Sequence, residues 1–184
     1  VEHTPLMADL LCIPHKLITC DVADPILEAN LARDAIKTLE RVDAVLLGGT
    51  GLQETQIRSL KNALAPLGID VFPAHRGHVH ANVMRHMLSK GYRFIITQVA
   101  ADGLGAGDLG RELTLDNLDA FFARADKYGF HNGGEGGVYD TLCIDGPLFS
   151  KALVPTVTKI TMESQCSGHL ACDIAIVPKI HVTP

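Results

Sequence analysis

Residues 16–73 alternate short apolar runs with helix-period segments, and that alternation restricts this part of the chain to βαβ units on a parallel sheet. Residues 16–21 read as a strand. Asp24 caps a helix with Pro25 at its first position, after which Leu27, Leu31, Ala35 and Leu39 recur at helical spacing. The run Ala44–Leu47, bounded by Gly48 and Gly49, has the form of a buried parallel strand. A second helix sets Ile57, Leu60, Leu64 and Leu67 on one face and stops at Gly68. Residues 69–72 form the next strand, closing at Pro73, and a lobe boundary is expected at 74/75.

The pattern then changes. A helix over 78–90 ends at Gly91, a strand covers 94–99, and a glycine-rich connection leads to a helix carrying Leu115, Leu118, Phe121, Phe122 and Ala125 and ended by Gly129. Residues 138–144, 153–162 and 170–177 are strand-like and separated by Gly-Pro and Ser-Gly turns, which gives an antiparallel or mixed tail. The fold class is therefore α/β: a parallel-sheet lobe over 1–74 and a smaller α/β lobe over 75–184.

Composition narrows the setting. A chain of 184 residues with 47% hydrophobic content can bury a real core in one domain or two small lobes. It has neither an apolar run of membrane-spanning length nor a basic n-region followed by an apolar stretch, so a cytoplasmic protein without a membrane partner is expected. Five cysteines at irregular spacing (12, 20, 143, 166, 172) match neither a disulfide framework nor a structural zinc site, and imply reduced thiols. The formal net charge of −5 argues against non-specific nucleic-acid binding.

The segment 131–149, HNGGEGGVYDTLCIDGPLF, is the strongest functional signal. Gly133, Gly134, Gly136 and Gly137 frame Glu135, letting backbone N–H groups approach a ligand while one carboxylate is held at the loop tip. The plainer reading is a glycine-rich bend with a solvated acid. The run resembles the signature of the diphthine-ammonia ligase family and its relatives among the PP-loop ATP pyrophosphatases, in which E-[GN]-G-E-[YF]-[EH]-T precedes a DGPLF-like turn. Glu135, Gly136, Gly137, Tyr139, Thr141, Asp145, Gly146, Pro147, Leu148 and Phe149 match. Val138 stands where a second glutamate is usual, and Asp140 where glutamate or histidine is usual, so identical activity does not follow.

The resemblance extends to His3 and Thr4 with the apolar helix ending near Ile13 and Pro14, to the VDAVLLGG segment, and to Asp108, Leu109, Gly110 and Arg111. It implies a Rossmann-like (HUP-type) first lobe, related to the adenine nucleotide alpha hydrolases. The SGGKDS pyrophosphate loop with which the family opens does not occur here, and the chain begins at Val1; the lobe is expected to be N-terminally incomplete, as a fragment or through loss of the loop. The implied reaction is ATP- and Mg²⁺-dependent amidation: a substrate carboxylate attacks the α-phosphate, and ammonia displaces AMP from the acyl-adenylate. The resemblance implies a carboxylate substrate, which in archaeal and eukaryotic members is a modified histidine on elongation factor two and in bacterial members is something else. In this reading Gly48, Gly49, Thr50 and Gly51 line the nucleotide side. Asn132, Gly136, Gly137, Tyr139 and Thr141 form the substrate side with Arg111, and Glu135 holds ammonium or acts as acid and base. The alternative is a non-catalytic nucleotide- or metabolite-binding module. Exposed strand edges in the tail leave a homodimer open.

Other motifs carry less. Gly105, Gly107 and Gly110 spell G-x-G-x-x-G, but several loop residues separate the motif from the preceding strand and from the next helix, so the dinucleotide context fails. Arg111 offers a planar fork to a carboxylate or phosphate, or pairs with Glu112 or Asp108. His75, His78, His80 and His86, with Arg76 and Arg85, crowd one segment without any zinc-ligand spacing, so no metal is expected, although protonated they suit phosphate. Cys143 lies in an apolar strand pattern and reads as an inert buried thiol.

Overall fold

The computed structural model describes residues 4–20, 23–48, 54–74 and 77–179. In chain order its elements are α1 (Thr4–Leu10), α2 (Pro25–Ile36), β1 (Ala44–Leu47), α3 (Glu54–Leu64), β2 (Asp70–Pro73), α4 (His80–Ser89), β3 (Arg93–Ala100), β4 (Glu112–Leu113), α5 (Leu115–Tyr128), β5 (Tyr139–Asp145), β6 (Lys151–Met162) and β7 (Ser167–Pro178). They form two compact units, one over Lys16–His78 and one combining Val1–His15 with Val79–Pro184. The division thus falls after His78, and the first fifteen residues go with the later unit.

In the Lys16–His78 unit, β1 and β2 are parallel neighbours, Ala44 opposite Asp70 and Leu47 opposite Pro73. Helix α2 starts where Asp24 accepts hydrogen bonds from the N–H groups of Ile26 and Leu27, with Pro25 in the first turn where no N–H is needed. Helix α3 buries Ile57, Leu60 and Leu64 and runs into a 3₁₀ turn closed by Gly68 in the left-handed conformation. Leu60 and Leu64 join Ala29 and Val71 in a small core, on which Val45 and Leu47 pack.

Three expectations fail in this unit: α2 ends at Ile36, so Leu39 lies beyond the helix and is exposed, and neither strand named next takes its expected form. Residues 16–20 form no strand and are exposed. The apolar run there has β propensity but no hydrogen-bonding partner strand among the described residues, and propensity alone does not hold a strand. Nor is β1 buried on both sides, because Leu46 is 77% exposed and its cross-strand partner Phe72 is 51% exposed. Only the Val45–Leu47 side of this two-stranded sheet meets the small core.

The other unit is built on β3, which pairs antiparallel with β4, β5 and β7, while β7 pairs along its length with β6. Strand β3 feeds two cores. Ile96 and Val99 enter one with Leu118, Phe121, Phe122 and Ala125 of α5. Ile95 enters the other with Leu142, Ile144, Phe149, Leu153 and Leu10 of α1. Burying such side chains contributes roughly 1.5–3 kcal/mol each. Helix α5 carries the Thr114–Asn117 capping box at its start and Gly129 at φ 75° at its end, so Phe130 turns back into the core and the chain enters the glycine-framed segment.

Candidate functional site

The segment after Phe130 folds around His131. The His131 carbonyl accepts the N–H of Gly134 at 3.1 Å, and its ring Nδ1 accepts the N–H groups of Gly133 (3.1 Å) and Glu135 (3.2 Å). Tyr139, only 4% exposed, donates its hydroxyl to the Asn132 carbonyl at 2.6 Å and sets its ring edge-on to Phe121. Burial pushes this hydroxyl's pKa well above its ordinary value, so Tyr139 stays a neutral donor that anchors the loop.

The glycines divide into two kinds. A Cβ on Gly133 would stand 2.8 Å from the Cβ of His80, and one on Gly134 would stand 2.8 Å from the Tyr139 carbonyl oxygen. These two are required by packing. Gly136 and Gly137 are exposed with φ of 79° and 74°, and among the described residues no atom lies within 4 Å of an added Cβ, so the space a side chain would take there is open.

Helix α4 brings His80 to this loop from its first residue. Its Nδ1 lies 3.3 Å from His131 Nε2, and its Nε2 lies 3.3 Å from Glu135 Oε1. His131 Nε2 is 3.7 Å from Glu135 Oε2. The His80 side chain is 15% exposed, while those of His131 and Glu135 are about a third exposed. Ligand atoms of the three residues all lie within 4.8 Å of one another, close enough to share a proton or enclose a cation.

The remaining sequence candidates fall as follows. Thr141 and Asp140 are exposed on β5, opposite Ile96 and Gln98. Arg111 is exposed on the side of β3 that carries β4; the carboxylates named as its partners bind other arginines. Asp108 pairs with Arg124 at 2.5 Å and accepts Gly105 N–H at 3.0 Å, closing the G-x-G-x-x-G segment on itself, and Glu112 is held by both Nε and Nη2 of Arg93 at 2.8 Å. Gly48 ends β1 exposed, whereas Gly49, Thr50 and Gly51 lie outside the described residues, as do His3, His75 and Arg76. Cys143 donates to the Asp145 carbonyl at 3.3 Å, and burial pushes its thiol up to about 11. The DGPLF turn is a fastener. Lys179 binds Asp145 and the Gly146 carbonyl, Phe149 enters the core, and both the N–H and Oγ of Ser150 donate to the Leu10 carbonyl.

Sequence reasoning took His80 only as one of a histidine-rich segment and gave His131 no role. The i, i+4 spacing of His131 and Glu135 was a usable signal. Nothing in the sequence joins His80 to a residue 51 positions away.

Residues 80–171 match the family model of the diphthamide synthase C-terminal domain, a span that opens on His80 and includes His131 and Glu135. Similar proteins include the diphthine-ammonia ligase of Danio rerio, 32% identical over 130 residues (70% of this chain, 50% of that protein). The human diphthine-ammonia ligase is 29% identical over 131 residues (70% and 48%), and that of Schizosaccharomyces pombe is 37% identical over 82 residues (45% and 13%). The chain spans about half the length of the human and Danio rerio relatives it matches.

Proposed function

The chain belongs to the diphthamide synthase family through its C-terminal domain, and on that premise we propose that it serves an ATP-dependent ligase that joins ammonia to a substrate carboxylate. The observation that carries this reading is Glu135, held at a glycine-framed loop tip between two imidazoles beside the exposed Gly136 and Gly137. Its relatives are named for joining ammonia to diphthine. A carboxylate placed in this way can hold ammonium and accept its proton. Asn132, Gly136, Gly137 and Thr141 form the substrate side in this reading. Tyr139 acts through the Asn132 carbonyl, and Arg111 supplies an anion contact. The substrate class is a protein-borne carboxylate such as diphthine on elongation factor two.

For the nucleotide, the fit rests on Gly48. It closes a parallel strand at its carboxyl end, the usual ligand side of such sheets, and among the described residues no atom stands within 4 Å of an added Cβ. The reading also assigns Gly49, Thr50 and Gly51, which lie outside the described residues, to the nucleotide of a Rossmann-like (HUP-type) lobe, with Mg²⁺ accompanying the polyphosphate. When bound, ATP turns the carboxylate into an adenylate that ammonia can attack. Glu135 then draws a proton from ammonium.

The test is release of AMP and pyrophosphate by the full-length protein supplied with ATP, ammonium and a diphthine-bearing protein. Glu135→Gln is expected to lower amide formation by about a hundredfold or more with the KM for ATP unchanged. Amide formation equal to wild type in that variant overturns the reading. One observation favours a second reading, a nucleotide-binding module without turnover. Val138, at the position of the family's second glutamate, is half-buried against the core and offers no carboxylate. ATP binding by calorimetry with no AMP release under these conditions selects that module.

A further inference from the structure

We propose that His131 and His80 are positioning residues for Glu135, joined to it by a run of ring contacts whose proton order the backbone of the glycine loop sets. A backbone N–H can only donate. Two of them, from Gly133 and Glu135, converge on Nδ1 of His131 at 3.1 and 3.2 Å, so that nitrogen presents its lone pair and the proton of the neutral ring resides on Nε2. The Nε2–H group faces Nδ1 of His80 at 3.3 Å, which must accept. His80 therefore carries its own proton on Nε2, the nitrogen that stands in ion-pair contact with Oε1 of Glu135 at 3.3 Å.

Each link fixes the next, from two backbone amides through two imidazoles to one carboxylate. Glu135 is presented as an acceptor. His80 is held from both sides: its Cβ lies 2.8 Å from where Gly133 would carry its own, so a side chain at 133 would displace the ring. The amides belong to the same loop that Glu135 tips, so the acid and its orienting group are built as one piece.

The same geometry disfavours a cation among these three residues. Ligation by His131 Nε2 needs the lone pair of that nitrogen, which moves the ring proton to Nδ1 and sets it against the two N–H groups. The chain of donors suits proton chemistry instead. Resting on the ligase reading above, the step it serves is transfer from ammonium to Glu135: an N–H bond breaks, an O–H bond forms on the carboxylate, and the nitrogen lone pair is freed for attack on the acyl carbon. His80 does not take that proton, because its Nε2 already holds one.

The first test is spectroscopic and needs no activity. Long-range ¹H–¹⁵N spectra of the folded chain at neutral pH are expected to show both His80 and His131 as Nε2–H tautomers. His131→Asn keeps an oxygen near the Nδ1 position for the loop amides but supplies no donor at Nε2, and is expected to leave His80 as a mixture of tautomers. An Nδ1–H form of either ring in the wild type overturns the proposal, and so does stoichiometric Zn²⁺ or Mn²⁺ binding that His131→Asn abolishes. In amide formation, His80→Gln, which retains a donor near Nε2, is expected to lie at least tenfold above His80→Ala; equality of the two removes the positioning role. If the tautomers are as expected while Glu135→Gln stays fully active, the ligase reading fails and the proton order along the two rings stands.

Discussion

Gly134 shows what the loop demands of a single position. Its φ is 80°, and an added Cβ would lie 2.8 Å from the Tyr139 carbonyl oxygen, a backbone atom that cannot swing away. Gly134→Ala is expected to destabilise the protein by about 1–3 kcal/mol in urea unfolding. Gly107→Ala, in the other glycine-rich loop, meets nothing within 4 Å and has no positive φ, and is expected to stay within about 0.5 kcal/mol of wild type or gain slightly. Equal effects would mean that the left-handed turn is not what holds the segment. The four glycines around Glu135 were legible in the sequence as a cluster; their division into two that pack and two that face open space was not, because it depends on His80 and Tyr139 arriving from elsewhere. The i, i+4 spacing sets His131 beside Glu135 in the sequence, but its role is not legible there, because that comes from which ring nitrogen meets the backbone.

Among the elements, the helices were the most readable, because their ends are written locally in Asp24 and Pro25, Gly68, and Gly129. The sheet was less so. Strand β4 has two residues, too few for any period, and is tied to β3 by the Arg93–Glu112 ion pair. The Arg93 hydrogen bonds hold the Glu112 carboxyl below its ordinary range, against an opposing push from burial. A depressed folded-state pKa stabilises the fold above the unfolded carboxyl's range of about 4.3, and that contribution disappears as pH falls through the folded value. The pair is largely solvated, so Glu112→Gln is expected to cost no more than about 1 kcal/mol at pH 7. That difference should shrink in high salt and close in acid. A difference that persists unchanged at pH 2 would assign the effect to packing. The DGPLF run was read as part of a family signature, and the structure gives it a mechanical use, fastening β5 and β6 to α1.

Viewed as a whole molecule, the α/β class, the parallel pair and the antiparallel tail all follow from the alternation of periods along the chain. The grouping of residues 1–15 with the later unit does not. It rests on Leu10, which lies in one core with Phe149 while its carbonyl accepts from Ser150, 140 positions away. The two units also differ in what holds them. Among the described residues, Lys16–His78 has a core of four buried side chains on a two-stranded sheet, whereas the other unit has clusters of eleven and six on either side of β3. A two-stranded sheet with so small a core is marginal by itself, and amide protection follows the free energy of the cheapest opening that exposes each group. Native-state hydrogen exchange is therefore expected to protect the amides of β3, α5 and the β3-facing part of β5 at least about tenfold more than those of β1, β2 and α3, a gap of roughly 1.4 kcal/mol or more. The ordering should hold in low denaturant, with the Lys16–His78 amides reaching their opening limit first. If instead both groups merge on a single exchange isotherm at all denaturant concentrations, the units open only together, and the small core of four does not set the stability of its own half.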